Sequence, residues 1–69
     1  MTGLTLTLNG DARSVPAPAT LSDLLTHLEL DPRMVVVELN GEIVRRPRLG
    51  EVSLKSGDQV ELVHFVGGG

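Results

Sequence analysis

Gln59-Val60-Glu61-Leu62-Val63-His64-Phe65-Val66 places apolar side chains on both faces of an extended segment. With period-two alternation, Val60 and Leu62 point one way and Val63 and Phe65 the other. A strand that is apolar on both sides belongs in the middle of a sheet rather than at its edge. The segment is preceded by a turn, Ser56-Gly57-Asp58. Everything upstream must therefore supply its neighbours and a cover.

Two hairpins are written into the rest of the chain. Leu4-Thr5-Leu6-Thr7-Leu8 alternates apolar and polar, so Leu4, Leu6 and Leu8 share an inward face. Asn9-Gly10 then signals a tight turn, because both residues tolerate positive φ. The return strand spans Ala12 to Val15. A two-residue turn would put Arg13 and Val15 on the core side, a longer one could reverse that, and Pro16 and Pro18 break the ladder. The second hairpin pairs Val35–Leu39 with Glu42-Ile43-Val44 across Asn40-Gly41. A two-residue turn sets Val37 opposite Val44 on one face and Glu38 opposite Ile43 on the other. Pro47 ends that strand, and Leu49 to Leu54 reads as a loop or a short turn of helix. Neither Asn-Gly pair forms a glycosylation sequon, and both asparagines read as turn residues alone.

Between the hairpins lies one helix. Thr20 is a natural N-cap, with Asp23 at the third helical position to bond back to it. Leu21, Leu24, Leu25 and Leu28 form a single apolar stripe, while Ser22, Thr26, His27 and Glu29 face away. Asp31-Pro32 marks the expected stop. One helix packs on one face of a sheet and leaves the other open. The expected class is α+β, with a mixed sheet of four to five strands and one packed helix. Periodicity does not fix strand order. Placing the last strand centrally beside the first, by analogy with known folds, gives the β-grasp (ubiquitin-like) arrangement.

Composition narrows the function. The 69 residues make one small domain, whose core supplies on the order of 3–5 kcal/mol. There is no cysteine, so neither a disulfide nor a thiol nucleophile is available. Net charge is −3, and Phe65 is the sole aromatic residue, which argues against nucleic acid as a partner. Apolar runs such as Val35-Val36-Val37 are far too short to span a membrane, and no signal-peptide pattern opens the sequence, so cytoplasm is the expected compartment. His27 and His64 lack a third ligand at zinc spacing, so no metal site is expected.

The chemistry is concentrated at the end. Gly67-Gly68-Gly69 follows an apolar strand directly. Without Cβ atoms such a tail enters narrow channels, and its terminal carboxylate is unhindered. A carboxylate at neutral pH is a poor electrophile and must be activated, for example as an acyl-adenylate made from ATP. A sulfur nucleophile could then displace AMP. The chain has no G-x-x-x-x-G-K-[ST] loop and no G-x-G-x-x-G, so the catalyst must be another protein. The expected organisation is a domain over residues 1–66 and a flexible tail over 67–69. The Gly69 carboxylate is the expected covalent site, with Gly67 and Gly68 as its stem. Ile43, Val63, Phe65 and Val66 are candidates for an exposed apolar patch beside the tail that docks partners. Arg45, Arg46 and Arg48 read as a solvated basic loop, with a rim contact to an acidic partner as the alternative.

Leu6-Thr7-Leu8-Asn9-Gly10, the helix with Leu24-Leu25, Val35-Val36-Val37-Glu38-Leu39-Asn40-Gly41-Glu42-Ile43-Val44, Gly57-Asp58-Gln59-Val60-Glu61-Leu62-Val63 and Phe65-Val66-Gly67-Gly68-Gly69 together resemble the ThiS family of sulfur carriers. The resemblance covers nearly the whole chain in order and departs at Arg45-Arg46-Pro47. It implies that a ThiF-type adenylyltransferase activates the Gly69 carboxylate with its own ATP. A persulfide derived from a cysteine desulfurase then makes the thiocarboxylate, and thiazole synthase (ThiG) receives the sulfur for thiamin. The chain would bind no cofactor and act as a protein substrate. The alternatives are a small subunit of molybdopterin synthase or another thiocarboxylate carrier, a ubiquitin-like modifier, and a plain interaction domain.

Overall fold

Seven helical residues cannot cover a five-stranded sheet unaided, and the chain solves this with its loops. The computed structural model describes residues 3–65. Its elements are β1 (Gly3–Leu8), β2 (Asp11–Pro16), α1 (Leu21–His27), β3 (Val35–Leu39), β4 (Glu42–Val44) and β5 (Gln59–His64), with short 3₁₀ turns at Pro32–Met34 and Arg46–Arg48. The strands form one sheet in the order β2-β1-β5-β3-β4. β5 is central, parallel to β1 and antiparallel to β3. The two-sided apolar pattern of the last strand thus has its expected consequence: Val60 is fully buried and Leu62 packs against the core, while Val63 faces outward.

Both hairpins turn in two residues. Leu8 pairs with Asp11 and Leu39 with Glu42. The turn residues take positive φ throughout, at Asn9 (48°), Gly10 (88°), Asn40 (51°) and Gly41 (89°), the geometry that matches strand twist. The short first turn settles the register of β2, setting Arg13 opposite Leu6 and Val15 opposite Leu4. Val15 is buried, but Arg13 at this sheet edge is exposed. β2 runs on through Pro16, opposite Gly3, rather than breaking before it. An edge strand tolerates proline because its outer amides need no partner.

The capping box at α1 forms as the sequence predicts. The Asp23 amide donates to Thr20 Oγ1 (3.1 Å), and the Thr20 amide donates to Asp23 Oδ2 (2.9 Å). The first helical amides need further acceptors, and the segment after β4 supplies them. Leu21 N–H donates to the Val52 carbonyl and Ser22 N–H to the Leu49 carbonyl, both at 3.1 Å. That docking buries Leu49 and Leu54 beside Leu21, Leu24 and Leu25. The expected loop is therefore part of the core and of the helix cap.

The helix stops earlier than Asp31-Pro32. Leu28 is its C-cap, and Glu29 takes φ +60°. The Leu30 amide donates to the Leu25 carbonyl (2.9 Å) and the Glu29 amide to that of Thr26 (3.0 Å). This is a Schellman closure with glutamate where glycine is usual, and Leu30 supplies its apolar contact with the core. Asp31-Pro32 opens the next 3₁₀ turn instead. The Arg33 side chain and amide both bond the Asp31 carboxylate, and they hold its pKa down to about 2.

Glu29→Gly should raise stability. The left-handed conformation costs an L-residue roughly 1–2 kcal/mol, and glycine's looser unfolded chain gives back part of that. Chemical denaturation should show a net gain of about 0.5–1 kcal/mol, and an unchanged or lowered midpoint would contradict the strain at this position.

Candidate functional site

Because α1 and the 49–54 segment cover one face, the other face of the sheet is bare. Val37 and Leu62, which pair directly, point inward, so their neighbours Glu38 and Glu61 point out as a direct pair. Val36 and Val63 form the next pair on the same face, and Ile43 stands opposite Glu38 on β4. The Phe65 amide donates to the Met34 carbonyl (2.8 Å), which keeps the chain extended beyond β5. Alternation carries Phe65 to the same side as Val63.

Three of the four candidate docking residues lie here. Ile43, Val63 and Phe65 are 65%, 59% and 48% exposed, the large apolar side chains that the described fold leaves in solvent. Val66, the fourth, and Gly67, Gly68 and Gly69 lie outside the described residues. Val36, half-buried between Val63 and the β4 side, is a member of the apolar row that the candidate set omits. Its position in the register, two residues before Glu38, is the signal that would have found it.

The acidic pair is the second feature. Cβ atoms directly across an antiparallel ladder are about 4.5–5.5 Å apart, and like charges there repel. No cation bonds either carboxylate among the described residues, where the ion pairs are Arg33–Asp31 and Arg48–Glu51. Beside Ile43, the edge of β4 borders an open groove of about 370 Å³ whose walls include Val44, Arg45, Arg48 and Val52. Arg48 is engaged with Glu51 at 3.0 Å. The sheet therefore presents an apolar centre with a negative row, and a basic margin at β4.

The two hairpin asparagines do more than turn the chain. Leu62 N–H donates to Asn9 Oδ1 (2.7 Å), and Asn9 Nδ2 donates to the Leu62 carbonyl (3.2 Å). At the other end of β5, Gln59 N–H donates to Asn40 Oδ1 (2.9 Å), and Asn40 Nδ2 donates to Asp58 Oδ1 (3.2 Å). The reading of both as turn residues alone is thus too narrow. The buried Asp58 carboxylate also receives the Lys55 amide (2.8 Å), which closes the turn into β5.

A mixed five-stranded sheet with its last strand central and one helix across it is the β-grasp architecture. The same architecture occurs in the crystal structure of the thiamine biosynthesis protein ThiS from Geobacter metallireducens. The two superpose with a TM-score of 0.80 over 96% of this chain and 100% of that one, at 36% identity. The ThiS family model matches residues 6–69. The sulfur carrier protein ThiS of Bacillus subtilis is 45% identical over 65 residues, which cover 93% of this chain and 98% of that protein. A thiazole synthase of Magnetococcus marinus is 45% identical over 62 residues, 90% of this chain but 19% of that protein, so the chain spans about a fifth of that relative's length. The chain belongs to the ThiS family.

Glu61→Gln should relieve the repulsion across β3 and β5. Thermal or urea denaturation at low salt should show a gain of roughly 0.2–0.5 kcal/mol that shrinks as salt is added. A loss of stability, or a gain indifferent to salt, would mean the two carboxylates do not oppose each other.

Proposed function

We propose that this chain is a sulfur carrier that forms a thiocarboxylate at Gly69 and delivers sulfur to thiazole formation in thiamin biosynthesis. The observation that carries the reading is the family match, which spans residues 6–69 and so includes Gly69. It is joined by the placement of the strand before the glycines at the centre of the sheet. The thiazole synthase relative, part of which resembles this chain, favours a thiazole synthase as the recipient over a molybdopterin synthase partner.

The chemistry needs two partner enzymes. A Gly69 carboxylate oxygen attacks the α-phosphorus of ATP on a ThiF-type adenylyltransferase and releases pyrophosphate. The positive groups and Mg²⁺ that stabilise this step belong to that enzyme. A persulfide supplied by a cysteine desulfurase displaces AMP, and cleavage of its S–S bond by a second thiol leaves the thiocarboxylate. The chain is the substrate throughout and binds no cofactor of its own. Residues 1–66 are the docking body and 67–69 the arm, and the cycle runs in the cytoplasm.

Docking follows from the bare face. Ile43, Val63 and Phe65 give an apolar centre that a partner can dehydrate, and Val66 is the next apolar residue in the sequence. The Glu38–Glu61 pair is unfavourable in the free domain, and lysine or arginine from a partner would turn that repulsion into attraction.

Incubation with a ThiF-type enzyme, ATP and a sulfur source should raise the intact mass by one sulfur for one oxygen, mapped to Gly69. Deletion of Gly68 and Gly69 should abolish the gain while the fold persists. No gain with an enzyme proven on another carrier would defeat this reading for that partner. Conjugates to lysines on gels would instead show a modifier. Phe65→Ala should weaken partner binding roughly tenfold while stability moves by less than about 1 kcal/mol. A large fall in melting temperature with binding intact would place Phe65 in the core instead.

A further inference from the structure

The exit of β5 is held by a side chain where the sheet has run out of strand. In the parallel ladder, Thr7 N–H donates to the Asp58 carbonyl (3.0 Å) and Asn9 N–H to the Val60 carbonyl (2.9 Å). The next step would bond the main-chain groups of Leu62, but the chain has already turned away at Asn9, with φ 48°. The Asn9 carboxamide takes that step. Its oxygen accepts from Leu62 N–H and its nitrogen donates to the Leu62 carbonyl. A carboxamide presents an acceptor and a donor side by side as a peptide group does, so it imitates one more unit of β1. Aspartate keeps the acceptor but lacks the donor, and glycine lacks both.

We infer that Asn9 is a positioning residue for the carrier reaction: its clamp on Leu62 fixes how far β5 is supported from both sides, and so how firmly the stretch that carries Val63 and Phe65 is held for a partner. With the clamp, Val63, His64 and Phe65 depend on β3 alone, through the Val63–Val36 and His64–Val35 pairs and the Phe65–Met34 bond. Without it, support from the β1 side ends at Val60, and five residues depend on one edge. Loosening that stretch disturbs the exposed face carrying Val63 and Phe65. The effect appears in association rather than in the chemical step.

The inference rests on the carrier reading, and Asn40 provides the control. Asn40 clamps the entrance of β5 through Gln59 with a comparable bond, far from the exit. Asn9→Gly and Asn40→Gly both keep a residue suited to positive φ, so each removes a clamp and spares its turn. Pyrophosphate release by a ThiF-type enzyme should show KM raised roughly fivefold or more for Asn9→Gly, with kcat within about twofold of wild type. Asn40→Gly should leave both within about twofold. Asn9→Asp, which keeps the Leu62 amide bond, should fall between, and it serves if the glycine variant does not fold. A KM unchanged in Asn9→Gly, or raised equally in both glycine variants, would overturn the inference. Amide hydrogen exchange on the isolated protein tests the clamp without any partner. Phe65 should exchange roughly tenfold faster in Asn9→Gly and at the wild-type rate in Asn40→Gly. Equal Phe65 rates in wild type and Asn9→Gly would refute the clamp. If wild type itself releases no pyrophosphate, the carrier reading fails for that enzyme while the exchange experiment still decides the clamp.

Discussion

A strand at the centre of a sheet must have its main-chain groups paired along both edges, and in this domain that requirement on β5 organises the rest. β5 has β1 on one side and β3 on the other; the β1 hairpin turns away before β5 reaches its exit, and the β3 hairpin turns away where β5 begins. Each hairpin therefore needs at its first turn position a residue that accepts positive φ and also offers β5 an acceptor in place of the main-chain carbonyl. Asparagine meets both demands. Glycine would make the turn but leave the Leu62 and Gln59 amides to water. The same short residue closes each hairpin and lengthens the ladder, so local turn chemistry and long-range sheet order reinforce each other.

The second constraint is size. A helix of seven residues presents three buried leucines, too little to seal a five-stranded sheet. The chain after β4 fills the gap with Leu49 and Leu54, held in place because their segment supplies carbonyls to the first amides of α1. Core and cap are thus one arrangement. A change that frees the 49–54 segment would remove packing and leave helix amides unpaired together, a cooperative penalty in a domain with a margin of only about 3–5 kcal/mol.

What the sequence discloses and what it hides follow one physical line. Signals carried by adjacent residues are legible. Asn-Gly gives both turns, Thr20 with Asp23 gives the helix start, and the two-sided apolar run gives the central strand. Ile43, Val63 and Phe65 are readable as exposed because one helix cannot cover two faces. Features that depend on residues meeting from afar are not. Just past the helix cap a glutamate takes the left-handed conformation, against local preference, as partly buried Leu30 packs the chain back onto the core. Asp58 is buried because Asn40 and the Lys55 amide meet it. The Asn9 clamp joins positions 53 apart in sequence, and no window along the chain contains both partners.

The bare face is also a consequence of economy in elements rather than an addition to the fold. With one helix, the sheet must expose a side, and a stability-optimised surface would fill it with threonines and alternating charge. Here it carries exposed aliphatic groups, the sole aromatic residue and two directly opposed carboxylates. Each choice weakens the isolated domain or its solubility a little, and all lie on the one uncovered face, most of them on or next to β5 and Ile43 two strands away on β4. Unfavourable features scattered over the surface would indicate drift. Concentrated on one face, they fit the docking role proposed for it, where a partner with apolar and basic groups would reverse the sign of every one of them.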